Sequence, residues 1–307
     1  MSDSSHPIEP NPFLPGASPA VPGVSSAEIS WTAESVSGTK KTINDDAWLA
    51  FASDIRGATR LEKSGHHTLA SHDLIFAVSD GMGGGNAGDV ASRLLLKKLS
   101  ALIPRTFKTA AEGLHPDYLH HIEQAIQAVH LEVNAHGVGA QSQKGMAATL
   151  ALAWFTPENL YLCNVGDSRI YIHREDRSLE EGASTIQLTE DHTFAWKKMQ
   201  RGELTERQFR MHPRRSALYE VIGGGHPTVN PYVATLPYRA GDRFLICSDG
   251  LIDGLWDKHI DAAFLKNSDS TSSLAEALMS RAITNDGKDD TTLIVLHVHE
   301  TEGKGSS

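Results

Sequence analysis

The chain has 307 residues, 40% of them hydrophobic and 21% charged, and a net charge of −10. That length buries a substantial core in one large domain or two small ones, and the composition is that of an ordinary globular protein. The acid excess argues against nucleic-acid partners and against docking on an anionic membrane, and it leaves carboxylates to hold a cation.

Residues 1–26 are rich in Pro, Ser and Gly and poor in apolar side chains, which predicts a disordered tail, and residues 301–307 read the same way. No linker or repeat interrupts the stretch between them, so residues 27–300 are expected to form one domain. Short runs rich in Val, Ile, Leu and aromatics predict strands at Ala47–Ala52 and Leu74–Ser79. Helical spacing follows at Asp89–Ile103, where Val90, Leu94, Leu95, the stem of Lys98, Leu99 and Leu102 make one stripe, and again at His121–His136. Strands are expected at Ala148–Phe155, Leu160–Val165, Arg169–His173 and Arg243–Ser248, then a helix at Ser273–Ile283 and a strand at Thr291–Val298. Two long polar segments break this series. Asp54–Asp73 reads as an extended hairpin or insertion, and Glu190–His226 as a mobile lid over a site. Strands and helices do not alternate regularly, which favours an α+β fold of antiparallel sheets with helices outside over a parallel sheet. No apolar run is long enough to span a membrane, and no basic-then-apolar signal opens the chain. Cys163 and Cys247, each inside an apolar run, read as buried thiols of a reducing cytoplasm.

The acids at the ends of these runs carry the chemistry. Apolar runs lead into Asp80, Asp167 and Asp249, each beside a glycine, and other runs begin after Asp46 and Asp289. In an antiparallel sheet one strand's end lies beside its neighbour's start, so these five can share one rim. Any single Asp-Gly is more often a turn than a ligand. Five such placements crowd carboxylates that repel one another unless a hard cation such as Mg²⁺ or Mn²⁺ intervenes. The run Asp80–Gly85 adds a glycine-rich backbone that leads into a helix N-terminus, a place that favours anions.

With these motifs in view the chain resembles the type-2C, metal-dependent protein phosphatases (the PPM family), its bacterial members in particular. The resemblance rests on Asn44-Asp45-Asp46, Ser79-Asp80-Gly81-Met82-Gly83-Gly84, Gly145-Met146-Ala147-Ala148-Thr149-Leu150 and Asn164-Val165-Gly166-Asp167-Ser168-Arg169. It continues through Leu188-Thr189-Glu190-Asp191-His192-Thr193, Cys247-Ser248-Asp249-Gly250-Leu251 and Lys288-Asp289-Asp290-Thr291-Thr292, in the family's order over residues 28–299. It implies a four-layer αββα sandwich with the ions at one end, and makes residues 27–300 a PPM-type phosphatase domain. Asp80 would bridge two Mn²⁺ or Mg²⁺ ions, the Gly81 carbonyl and Asp46 would complete the first site, and Asp249 with Asp289 would hold the second. Asp167 and Asp249 match a third site found in bacterial relatives. The implied reaction is hydrolysis of phosphoserine or phosphothreonine in protein substrates of a Ser/Thr kinase. Its attacking group is a metal-activated water, and Lys41, Asp46, Asp80 and Asp249 are the catalytic residues.

There are four departures from the family pattern. Lys41 stands where an arginine usually grips the phosphate, and a lysine lacks the bidentate fork. Met82 replaces the histidine of the eukaryotic branch and leaves the proton donor to the leaving group unassigned. Asp290 replaces an asparagine and adds a negative charge, and Ala147-Ala148-Thr149 in place of Gly-Thr-Thr reads as a packing change. The adjacent pairs His66-His67 and His120-His121 read as solvated or capping, and Arg214-Arg215 as a substrate contact or a solvated pair. Two rival readings are a catalytically weak regulatory module, against which all five acids are retained, and a two-metal nuclease, against which the net charge speaks.

Overall fold

The computed structural model describes residues 27–54, 56–70, 72–104, 117–139, 143–179, 183–267 and 270–300. In chain order the strands are β1 (Ala27–Val36), β2 (Ala47–Asp54), β3 (Gly57–Arg60), β4 (Ser64–Thr68), β5 (Asp73–Ser79), β6 (Gly81–Met82), β7 (Ala147–Ala148) and β8 (Leu150–Phe155). They continue as β9 (Leu160–Val165), β10 (Arg169–His173), β11 (Thr185–Gln187), β12 (Ile222–Gly223), β13 (Tyr232–Leu236), β14 (Arg243–Cys247) and β15 (Thr291–Glu300). The helices of the described residues are α1 (Ala87–Leu102), α2 (Tyr118–Gly139), α3 (Phe194–Gln200), α4 (Glu206–Arg210), α5 (Asp249–Gly254), α6 (Asp257–Lys266) and α7 (Thr271–Asn285).

Two six-stranded sheets, ordered β11-β10-β14-β15-β1-β4 and β13-β9-β8-β5-β2-β3, pack face to face, and a small third sheet, β12-β7-β6, lies beside them. Pairing between named strands is antiparallel throughout, as expected from the irregular order of strand and helix patterns. The strand period of two sorts side chains into separate cores. On β5, Leu74, Phe76 and Val78 enter the core between the sheets, whereas Ile75 and Ala77 face the helices α1 and α2. All seven residues of β5 are therefore buried, which is why it reads as a continuous apolar run rather than an alternating one. Between the sheets Trp31 meets Phe76 with ring centroids 5.5 Å apart, and Phe155 meets Phe244 edge-on at 5.3 Å. On the outer faces, Leu95, Leu99, Ile126 and Val129 of α1 and α2 cover one sheet, and Phe264 and Leu278 of α6 and α7 cover the other. These are the four layers, αββα.

Several expectations need correcting. The strand β1 was not foreseen: it alternates buried Ala27, Ile29, Trp31 and Ala33 with polar Glu28, Ser30 and Glu34, which dilutes any apolar run. Asp54–Asp73 is not one hairpin. Its β3 continues the sheet of β2, then the chain crosses over and β4 closes the edge of the other sheet against β1. The buried stripe of α1 runs through Ala87, Ala91, Leu95 and Leu99, while Lys98 turns outward to Glu132 of α2. The expected tails, 1–26 and 301–307, lie outside the described residues. Cys163 and Cys247 are buried and unbridged. No helix of the described residues is long and apolar enough to cross a membrane.

Candidate metal centre

The antiparallel register sets the site. Ala47 pairs with Ser79, so Asp46, just before β2, and Asp80, just after β5, extend neighbouring strands at the same end. In the other sheet Cys247 pairs with Leu293. Beyond that pair the Ser248 N–H donates to the Thr292 carbonyl at 3.0 Å, and the Thr292 N–H donates to the Ser248 hydroxyl at 3.0 Å. Asp249 and Asp289 thus share an end too. Asp167 lies on the short connection by which β9 of one sheet becomes β10 of the other. The five acids meet at one rim of the sandwich, where both sheets end.

Burial and like charge act together on Asp46, Asp80, Asp167 and Asp249. Burial raises the pKa of Asp80 well above the carboxylate range, and Asp249, Asp46, Asp167 and Asp289 push it further. Asp249 is raised in the same way, by burial and then by Asp167, Asp253, Asp289 and Asp46. Burial lifts Asp167 to about 7, with Asp191 and Asp253 adding repulsion and Arg169 opposing. Asp46 rises to about 6 through burial and the charges of Asp290 and Asp289, against the hydrogen bond that the Ser248 hydroxyl donates to its Oδ2 at 2.7 Å. The other oxygen of Asp46, Oδ1, is buried and accepts no hydrogen bond. An unpaired buried acceptor is costly, and so is a field of like charges. Among the described residues no three His, Cys, Asp or Glu side chains are placed to hold one metal ion together. The donor set is nonetheless that of a hard divalent cation: carboxylates, one of them, Asp46, with an orphaned oxygen.

Lys41 reaches the same rim. Its Nζ lies 3.1 Å from Asp289 Oδ1, 3.3 Å from Asp45 Oδ2 and 3.6 Å from Asp290 Oδ2. Asp290, read from sequence as an added charge, is spent on the backbone: its Oδ1 accepts from Gly38 N–H at 2.9 Å and its Oδ2 from Asp45 N–H at 2.8 Å. An asparagine in this position would turn its NH2 toward one of these two donors, which accounts for the aspartate. Asp290 therefore holds the loop that carries Lys41, Asp45 and Asp46.

The glycine loop is used differently from the sequence reading. The start of α1 is already occupied by an anion of the chain itself, since Asp45 Oδ1 accepts from Asp89 N–H at 3.0 Å. Gly81 is a glycine because a Cβ there would lie 2.0 Å from the Gly88 carbonyl oxygen. The loop thus packs against α1, with the Gly81 carbonyl oxygen close to Gly88. Thr149, expected only to pack, is the clasp of the site. Its hydroxyl accepts from Asp80 N–H at 3.0 Å and bonds the Ser168 hydroxyl at 2.7 Å, while its N–H donates to the Asp80 carbonyl at 2.8 Å. It ties the Asp80 turn to the Asp167 turn.

The segment Glu190–His226 folds over one side of the rim as α3 and α4, with a small core of its own from Ala195, Trp196 and Phe209. It is tied down more firmly than a loop read as a lid. Asp191 takes both the Nε and Nη2 of Arg169 in a buried pair, at 2.8 and 2.6 Å. Arg210 donates to the carbonyls of Ile252 and Leu255, and Arg215 grips Asp253 through Nη1 and Nη2, each at 2.5 Å. Arg215 is thus a clamp between flap and α5 rather than a solvated cation. Sequence reasoning missed Asp253, although it lies four residues after Asp249 on one helix, the spacing that puts two side chains on one face.

A family model described as protein phosphatase 2C matches residues 55–285. This chain belongs to the protein phosphatase 2C family. The phosphatase is similar to the serine/threonine phosphatase stp of Listeria innocua, 30% identical over 224 residues, which cover 72% of this chain and 83% of that one. Its fold is similar to the crystal structure of the serine/threonine phosphatase PstP of Mycobacterium tuberculosis, with a TM-score of 0.71, 28% identity and coverage of 89% of this chain and 99% of that one. The catalytic domain of PstP in complex with two manganese ions matches with a TM-score of 0.68 at 27% identity, over 89% of this chain and 99% of that one. As a serine/threonine protein phosphatase of this family, the enzyme carries its acids where the two sheets end together.

Proposed function

We propose that this phosphatase hydrolyses phosphoserine and phosphothreonine on proteins phosphorylated by a Ser/Thr kinase, as a signalling enzyme of the cytoplasm. Two Mn²⁺ or Mg²⁺ ions would be held by Asp46, Asp80, the Gly81 carbonyl, Asp249 and Asp289, and a third by Asp167 with Asp249. The observation that carries this reading is the buried, unpartnered Oδ1 of Asp46 among acids that raise one another's pKa. When bound, such ions neutralise phosphoryl charge and acidify an attacking water.

The chain's own groups do the positioning. The hydrogen bond from Ser248 fixes Asp46, and Thr149 fixes Asp80 by gripping its backbone on both sides. Lys41 supplies a cation for the substrate phosphate and must exchange a carboxylate partner to take it, since all three of its neighbours are acids. The two buried thiols suit a reducing compartment.

The test is hydrolysis of p-nitrophenyl phosphate and of a phosphothreonine peptide with Mn²⁺, Mg²⁺ or EDTA. Turnover is expected with either ion and none in EDTA, and Asp80→Asn or Asp249→Asn should lower kcat by about 10²-fold or more. Undiminished turnover in excess EDTA, or in either variant, would overturn the reading.

A further inference from the structure

A cleft of about 560 Å³ opens beside the metal centre, between β2 and β3 on one side and α1 on the other. Its inner end is Asp46 with Asn44 and Ser35, and its apolar lining comes from Leu49, Phe51 and Leu96, which pack under α1, and from Trp48 on the opposite face of β2. Its outer end is cationic. Arg60 comes from β3, and Arg93 and Lys97 come from α1, four residues apart and so on one helix face. Arg93 is neutralised by Asp89. Arg60 and Lys97 are exposed, and among the described residues neither side chain has an ion-pair or hydrogen-bond partner. Two unpaired cations therefore stand at the mouth of a cleft whose other end is the acid Asp46, on a chain with a net charge of −10.

We propose that this cleft receives the polypeptide on one flank of the phosphorylated residue, and that Arg60 and Lys97 select acidic side chains there. The inference rests on the phosphatase reading and names the substrate class of that site. The charge order along the cleft fixes the direction. The phosphorylated residue belongs at the Asp46 end, beside the acids that would hold the ions, and the segment next to it crosses the apolar middle of the cleft. The acids reach the mouth, where complementary charge rewards them. The volume is that of a ligand cleft with room for a short peptide segment. Because Arg60 and Lys97 are solvent-exposed, their contribution is a preference and not an absolute requirement, and salt screens it.

The test uses labelled peptides in which a phosphonate replaces the phosphothreonine, so that binding is read without turnover, flanked on either side by Glu, Gln or Lys. Fluorescence anisotropy with the full chain in Mn²⁺ at low salt should show the Glu peptide of one flank binding about five- to ten-fold more tightly than the Gln peptide, as two exposed pairs allow. The preference should shrink as salt rises. In Arg60→Glu/Lys97→Glu it should vanish or invert in favour of Lys, with circular dichroism confirming the fold. Equal affinity for Glu and Gln flanks, tighter binding of the Lys peptide by the parent, or an unchanged preference in the variant would overturn the proposal. The hydrolysis assay separates the two readings. A Glu preference without turnover of the phosphothreonine peptide would leave the cleft standing and remove the phosphatase reading, and turnover without a flank preference would do the reverse.

Discussion

At the scale of single residues, Lys41 is the most exposed to competing demands. Burial lowers its pKa, yet Asp289 above all, then Asp290 and Asp45, outweigh burial and hold it above the ordinary lysine value, so it remains a cation at neutral pH. That charge reduces repulsion among the three acids and also competes with any divalent ion for their oxygens. Lys41→Ala should therefore lower the Mn²⁺ concentration for half-maximal activity while raising KM for a phosphothreonine peptide, a loss of about 1–3 kcal/mol in kcat/KM. Lys41→Arg should recover the substrate effect through its fork. Separate titrations of Mn²⁺ and peptide check this, and unchanged values in both for Lys41→Ala would remove the residue from the site. The identities of Asp46, Asp80, Asp167, Asp249 and Asp289 were legible because each abuts a strand pattern. The work of Asp290 was not, because two backbone donors from a loop more than 240 residues earlier leave no local trace.

Among elements, β5 carries a charge problem at each end. Asp80 follows it at the acidic rim, and Asp73 opens it at the far end, buried and bonded by the Trp154 N–H at 2.9 Å. Burial raises the pKa of Asp73 to about 7, against that hydrogen bond. A raised carboxylate pKa means that the folded state binds the proton more tightly than the unfolded chain, so this contribution to stability falls as pH rises from about 4 to about 7. Asp73→Asn keeps an acceptor for Trp154 and removes the charge. Its stability gain over the parent should be absent near pH 4 and reach the order of 1–4 kcal/mol by pH 8, allowing for coupling and relaxation. Urea unfolding across that range measures it, and a gain independent of pH would show that Asp73 is not the titrating group. The flap is the element least legible in sequence. Its polar composition suggested a free lid, but its anchors, Asp191 with Arg169 and Arg215 with Asp253, join partners distant in the chain.

For the whole molecule, folding concentrates at one end of the sandwich acids that the unfolded chain keeps apart. An ion that binds only the folded site stabilises it by mass action, about 2.7 kcal/mol at a hundredfold excess over Kd. Mn²⁺ should therefore raise Tm and EDTA reverse it. Asp80→Asn should behave oppositely: in EDTA it should melt above the parent, because it deletes a charge disfavoured by burial and four neighbouring acids, and in Mn²⁺ it should melt below. Calorimetry of both proteins in both conditions decides this, and a variant that melts lower in EDTA as well would show Asp80 to be a structural residue.

By itself the sequence determined what local patterns can encode: the buried strands such as Leu74–Ser79, the helices α1, α2 and α7 to within a few residues, and the acids at strand ends. Those signals depend on side-chain period and on near neighbours, which short windows contain. Only the tertiary structure decided that Asp45 fills the start of α1, that Thr149 clasps two turns, that Arg215 is a clamp, and that Arg60 and Lys97 stand unpaired above a cleft. Each of these depends on which segments the sheets bring together, and a hydrogen bond or an ion pair is decided by distance in space, of which position along the chain holds no record.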